Sequence, residues 1–158
     1  MKEGLIEQLK ATRQFFLNSV SCLTDDDSGF APTKETFTVA QQVEHAALTV
    51  EWFIEGAFSP QGFNLDFATA DATVKKATSF DKALQHFQQA FDAAIQKIQS
   101  LTIDELVASF PPDDPIYRGA PKFIVINGIV DHTAHHRGAL TVYARLLGKT
   151  PKMPYSEA

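Results

Sequence analysis

Three of the chain's 5 histidines, His132, His135 and His136, crowd into one short stretch between Asp131 and Arg137. Imidazole binds divalent metals of borderline softness, and two imidazoles one helical turn apart point the same way. His132 and His136 can therefore grip one ion if the segment is helical. At about 100° per residue, Val125, Ile129, Leu140, Tyr143 and Leu147 fall within roughly 80° of His132, so the histidine face is the core face. Imidazoles aimed inward must be hydrogen-bonded or ligated, because a buried polar group without a partner is costly. Spacing by itself leaves both outcomes open: metal ligands, or core histidines bonded to polar neighbours.

A pair at i, i+4 needs a third ligand from another element, and His45 is the candidate. Its segment carries a broad apolar arc (Val39, Val43, Ala46, Ala47, Val50, Phe53, Ile54) and a narrow acidic stripe of Glu44, Glu51 and Glu55. His45 belongs to neither. It shares a third sector with Gln41, Leu48 and Trp52, which predicts a helix packed on two sides with His45 on the second inner face. Three neutral imidazoles suit zinc, nickel, iron or copper and leave a coordination position for water or substrate.

The neighbouring residues narrow the chemistry. Thr133 stands where a zinc protease of the H-E-x-x-H type has its general-base glutamate, so that reaction lacks its base. Glu44 and Asp131 adjoin candidate ligands in sequence but lie about 100° round their helices, out of easy reach of the same ion. His135 is about 60° off the pair, which predicts a place on the rim. His86 points roughly opposite the apolar stripe of its own segment and is expected in solvent. Cys22 has no basic neighbour to lower its pKa and is not expected to act as a nucleophile.

Helical periodicity runs over residues 3–23, 39–57, 80–100 and 121–147. Thr38 with Gln41 forms a capping-box pattern ahead of the second segment, and Thr102 with Glu105 predicts a short helical turn over 103–109. Residues 58–78 and 113–121 read as loops, the first long enough to carry function. No alternating run supports a sheet. The expectation is an all-α four-helix bundle forming a single domain over residues 1–158.

A formal charge of -5 gives no footprint for nucleic acid. No stretch is long and apolar enough for a membrane span or a signal peptide, and Cys22 alone can form no disulfide within the chain. The expected compartment is the reducing cytoplasm.

The run His132-Thr133-Ala134-His135-His136-Arg137-Gly138-Ala139 resembles the H-x-x-H-H-R-G-Q/A signature of the DinB-like proteins, which include the YfiT-type metal-dependent hydrolases. Upstream, Thr38-Val39 followed by His45 is similar to the second-helix segment of that family, and Tyr143 to Pro151 is similar to its ending. The resemblance implies a bundle in up-down-down-up order, with His45, His132 and His136 as three ligands for a divalent metal such as zinc, nickel or iron. It also implies a homodimer and, from the family's enzymatic branches, transfer or isomerisation using a low-molecular-weight thiol. Ala139 departs from the glutamine of many members and removes a polar group near the site.

The leading expectation is thus a metal-dependent thiol S-transferase acting on a small-molecule substrate. A metal-dependent hydrolase is the enzymatic alternative, and a stress-induced, non-catalytic metal-binding bundle is the alternative from another class. Helix positions around the triad are mostly apolar, so polar recognition is expected from the two irregular segments. Arg118 is the candidate to bind the carboxylate of a thiol cofactor, because its planar fork can grip a carboxylate at two points.

Overall fold

A computed structural model of the chain describes residues 1–155. Six helices follow one another: α1 (Lys2–Val20), α2 (Val39–Phe58), α3 (Phe67–Val74), α4 (Phe80–Ser100), α5 (Ile103–Val107) and α6 (Val125–Leu146). Short 3-10 turns occupy Asp25–Asp27 and Lys122–Ile124, and no strand forms among the described residues. No described helix is long and apolar enough to cross a membrane.

The local signals explain most boundaries. Thr38 Oγ1 accepts from the Gln41 amide at 3.3 Å while Gln41 Oε1 accepts from the Thr38 amide at 3.0 Å, so α2 starts where the capping box places it. Thr102 and Glu105 do the same for α5. Two expectations are corrected. The first helix stops at Val20 rather than 23, with Ser21 Oγ donating to the Asn18 carbonyl at 2.8 Å. Residues 58–78 are not loop throughout: Asp66 accepts from the Thr69 amide at 3.0 Å and caps α3. That cap was readable as Asp66-x-x-Thr69, but eight residues of Ala, Thr and Val give too little periodicity to announce a helix.

Helix directions follow from which ends meet. The Ser28 carbonyl accepts from the Ala40 amide at 3.1 Å, and Ser28 Oγ accepts from the Phe80 amide at 2.8 Å. Both α2 and α4 therefore begin beside Ser28 and run parallel, and the crossover through α3 returns the chain along the bundle. At the other face Lys2 Nζ donates to the Gln99 carbonyl and Arg13 pairs with Asp92, so α1 runs against α4. Tyr143, late in α6, reaches Gln42, early in α2, so those two are also antiparallel. The order is up-down-down-up, with α1 and α2 each packed between α4 and α6.

Aromatic rings dominate the centre. Phe16 of α1 stacks on Phe87 of α4 at 4.1 Å, and Phe87 meets Phe91 at 4.8 Å. Leu9, Val43, Ile98, Ile129 and Leu140 are fully buried around them. Each such side chain stabilises the fold by about 1.5–3 kcal/mol. At the far end the α2–α6 seam closes tightly: a Cβ at Gly128 would lie 2.5 Å from the Tyr117 hydroxyl and 2.7 Å from the Phe53 ring. The absence of a side chain there lets Tyr117 and Phe53 seal that end of the bundle.

Candidate metal centre

Antiparallel packing brings the first half of α2 against the middle of α6, and this sets His45 opposite His132 and His136. The Nε2 atoms of His132 and His45 are 3.2 Å apart, those of His136 and His132 are also 3.2 Å apart, and the three ligand atoms lie within 4.8 Å of one another. Ring centroids are separated by 5.0 Å, 4.8 Å and 4.5 Å. His136 is buried, whereas His45 and His132 are half-buried and line a cavity.

A chain of hydrogen bonds fixes which nitrogen of His136 is bare. The Phe37 carbonyl can only accept, so the Tyr143 hydroxyl donates to it, at 3.1 Å. The Tyr143 oxygen then accepts from Gln42 Nε2, also at 3.1 Å, which turns Gln42 Oε1 toward His136. A carboxamide oxygen accepts, so His136 Nδ1 carries the proton and its Nε2 keeps a lone pair aimed at the other two rings. At most one proton can sit among these nitrogens, on His45 Nε2 or His132 Nε2, and it can bridge only one of the two short N–N contacts. With the protons of His45 and His132 on Nδ1 as well, three Nε2 lone pairs converge in an arrangement that suits a cation. Tetrahedral ligation at about 2.0–2.1 Å per nitrogen asks for roughly 3.3 Å between ligand atoms, close to both short contacts.

The electrostatics agree. Burial pushes the His136 imidazole down to about 3, with the neighbouring histidines adding to the shift. Burial, then His45 and His135, push His132 down to about 4. His45 is lowered as well, chiefly by burial, against an opposing pull from Asp71. All three rings are neutral near pH 7, the state in which imidazole binds metal.

The other sequence-derived candidates lie as follows. His135 is exposed at the rim, with its ring 4.9 Å from that of His136. Arg118 is exposed on the loop before α6 in a left-handed backbone conformation (φ 37°), next to Gly119 (φ 80°), and is not among the residues lining the histidine cavity. His86 is corrected: it is half-buried between two carboxylates, with Glu44 and Glu51 each 3.1 Å from one of its ring nitrogens. The parallel α2–α4 pair lays the acidic stripe of α2 along that flank of α4, a neighbour that the helical wheel of α4 cannot show. Burial lowers its pKa, but the two carboxylates outweigh that and raise it. Gln42 and Tyr143 are the residues the sequence reading missed as functional. Tyr143 was placed on the core face, and a buried glutamine one turn into a helix is the signal that was there to find.

The cavity beside the triad has a volume of about 460 Å³ and lies between α2, α3 and α6. Leu48, Trp52, Phe53, Phe67 and Val74 form apolar walls, and His45 and His132 form one end. The Trp52 indole N–H donates to the Asn64 carbonyl at 2.7 Å, which anchors the residues leading into α3 to α2.

The family model that matches, over residues 1–158, is that of the DinB family. Among curated proteins no relative matches the sequence. Solved structures do: a DinB-like protein from Bacillus cereus is 21% identical with a TM-score of 0.74, covering 98% of this chain and 97% of that one. A DinB-like protein of Bacillus subtilis, YjoA, is 15% identical with a TM-score of 0.68, covering 94% of each chain. YfiT from Bacillus subtilis, described as "a probable metal-dependent hydrolase with an unusual four-helix bundle topology", is 18% identical with a TM-score of 0.70, covering 94% of this chain and 89% of its own. At these identities the likeness is one of fold, and it agrees with the helix order read from the chain's own contacts. With the family model spanning every residue, the chain belongs to the DinB family.

Proposed function

We propose that the protein is a metal-dependent enzyme whose centre is His45, His132 and His136, and that it transfers groups to or from the sulfur of a low-molecular-weight thiol. The observation that carries the reading is the convergence of three neutral imidazoles on one point at the end of an apolar cavity. A divalent ion such as zinc, nickel or iron, when bound there, lowers the pKa of a coordinated thiol or water and so supplies a nucleophile at neutral pH. The chain's own groups do the rest. Gln42 and Tyr143 hold His136 with Nε2 bare, Trp52, Phe53 and Phe67 offer the small-molecule substrate an apolar wall, and Thr49 ties its hydroxyl to the His45 carbonyl at 2.8 Å. Arg118 would meet the carboxylate of an acidic thiol outside the cavity. The family resemblance further supports a cytoplasmic homodimer.

Hydrolysis is the second reading, because YfiT, whose fold this chain shares, is described as a probable metal-dependent hydrolase; Asp71, the carboxylate whose charge reaches His45, is paired with Lys75 at 2.6 Å. Elemental analysis of the parent, His45→Ala and His136→Ala is the first test. Stoichiometric metal in the parent and none in the variants is expected, and full occupancy in all three overturns the triad. Thiol conjugation with a panel of electrophiles, run beside ester and amide hydrolysis, then separates the reactions. Metal without turnover in either assay makes the protein a binding module.

A further inference from the structure

The polar groups of the cavity are uneven in a way that the metal reading does not use. Its charged lining residues are Glu51, Glu55 and Asp66, and none of the chain's 14 Lys and Arg residues lines it. Its threonine hydroxyls are already committed: Thr49 to the His45 carbonyl, Thr69 to Asp66, and Thr73 to the Thr69 carbonyl. Asp66 is occupied in capping α3, and Glu51 shares His86 with Glu44. Glu55 makes no side-chain hydrogen bond or ion pair among the described residues. Lys97 shares the neighbouring α2–α4 groove with Glu55 without pairing with it. Beside these carboxylates stand the rings of Trp52, Phe53 and Phe67, and with its N–H spent on Asn64 Trp52 offers only its π surface.

Aromatic faces and carboxylates attract cations and repel anions, and a site of low polarity strengthens both effects. We infer that the cavity takes a small organic cation with an apolar body, an arylalkylamine in chemical class, and discriminates against anions of the same size. The ammonium end lies toward Glu55, the apolar body lies along Trp52 and Phe67, and the other end reaches His45 and His132. As the substrate class of the proposed enzyme, this rests on the triad being its centre. It also divides the work, since an acidic thiol is repelled by the cavity and approaches the centre from outside it.

Trp52 is the chain's single tryptophan, so intrinsic fluorescence reports this cavity and no other. The probes are phenethylamine, 2-phenylethanol and phenylacetate, matched in size and differing in charge. Each is titrated into the protein as purified and again after chelation, with calorimetry as a second readout. After chelation phenethylamine binds at least about tenfold more tightly than phenylacetate, with the alcohol between them. Glu55→Gln, a change at an exposed position, shrinks that ratio at least about threefold in both preparations, and added salt shrinks it too. Phenylacetate equalling or beating the amine after chelation, saturable binding of none of the three, or a ratio untouched by Glu55→Gln overturns the inference. A parent that holds no metal at the triad yet shows the amine preference removes only the link to catalysis. A parent that carries metal as purified but prefers phenylacetate once that metal is chelated removes this inference and leaves the metal centre standing.

Discussion

Gln42→Leu isolates the hydrogen-bond chain behind His136. Leucine is close to glutamine in size and suits a helix, so the seam between α2 and α6 stays filled. What disappears is the acceptor for His136 Nδ1–H and the donor to the Tyr143 oxygen. Tyr143 keeps its bond to the Phe37 carbonyl, so its loss is small. His136 is the expensive partner: its ring is buried, and an N–H left without an acceptor there costs about 1–3 kcal/mol. Burying a leucine in place of an amide returns part of that, which leaves a net loss of about 1–2 kcal/mol, or a Tm lower by roughly 2–8 °C for a chain of this length. The larger effect falls on the metal. Without Gln42 the ring can shift its proton to Nε2 or rotate, and removing such a supporting partner lowers metal affinity about 10–100-fold. Competition against a chromogenic chelator measures the affinity, and thermal unfolding of the metal-free protein measures the stability. Gln42→Glu, which retains an acceptor for Nδ1–H, should stay within about tenfold of the parent. If Gln42→Leu folds, loses stability as stated and still binds metal as the parent does, the chain is a packing feature and the tautomer argument fails.

Three further outcomes are expected. His132 and His136 have pKa values near 4 and 3 in the folded chain against an ordinary 6.5, so on acidification the unfolded state takes up protons first. The metal-free protein should therefore lose stability as pH falls below about 6.5 toward about 4, by up to about 1.4 kcal/mol per pH unit for each ring, and a Tm flat between about pH 7 and pH 5 would refute the burial argument. His86 behaves oppositely: its pKa is raised, so its contribution with Glu44 and Glu51 is full below about pH 6.5 and fades as pH rises through the raised value. His86→Gln should cost about 1 kcal/mol at pH 6 and little at pH 9, with metal content unchanged, and equal losses at both pH values would show that packing rather than charge is at stake. Gly128→Ala drives a methyl group into Tyr117 and Phe53 and should destabilise by about 1–3 kcal/mol, read as a shifted denaturant midpoint; a neutral result would mean that the loop over residues 111–121 yields freely.

Periodicity in the sequence was sufficient for α2, α4 and α6, because a stripe recurring every 3.6 residues over some five turns has no other economical burial, and the Thr38 and Thr102 boxes mark the starts of α2 and α5. They were also sufficient to set His132 and His136 on one inward face, since i, i+4 spacing within one helix is local geometry. Helix order was legible only through the family resemblance; in the chain's own terms it is decided by Ser28, which holds the starts of α2 and α4 together and makes them parallel. That one long-range choice has further consequences. It lays the acidic stripe of α2 against His86, and it sends the chain back through α3, whose residues wall the cavity beside His45. It was likewise only in three dimensions that Gln42 and Tyr143, 101 residues apart, met behind His136 and settled which of its nitrogens is bare. A helical wheel reports the direction a side chain leaves its own axis. What it meets there depends on which helix lies alongside and which way that helix runs, and that information resides in the packing of the whole chain.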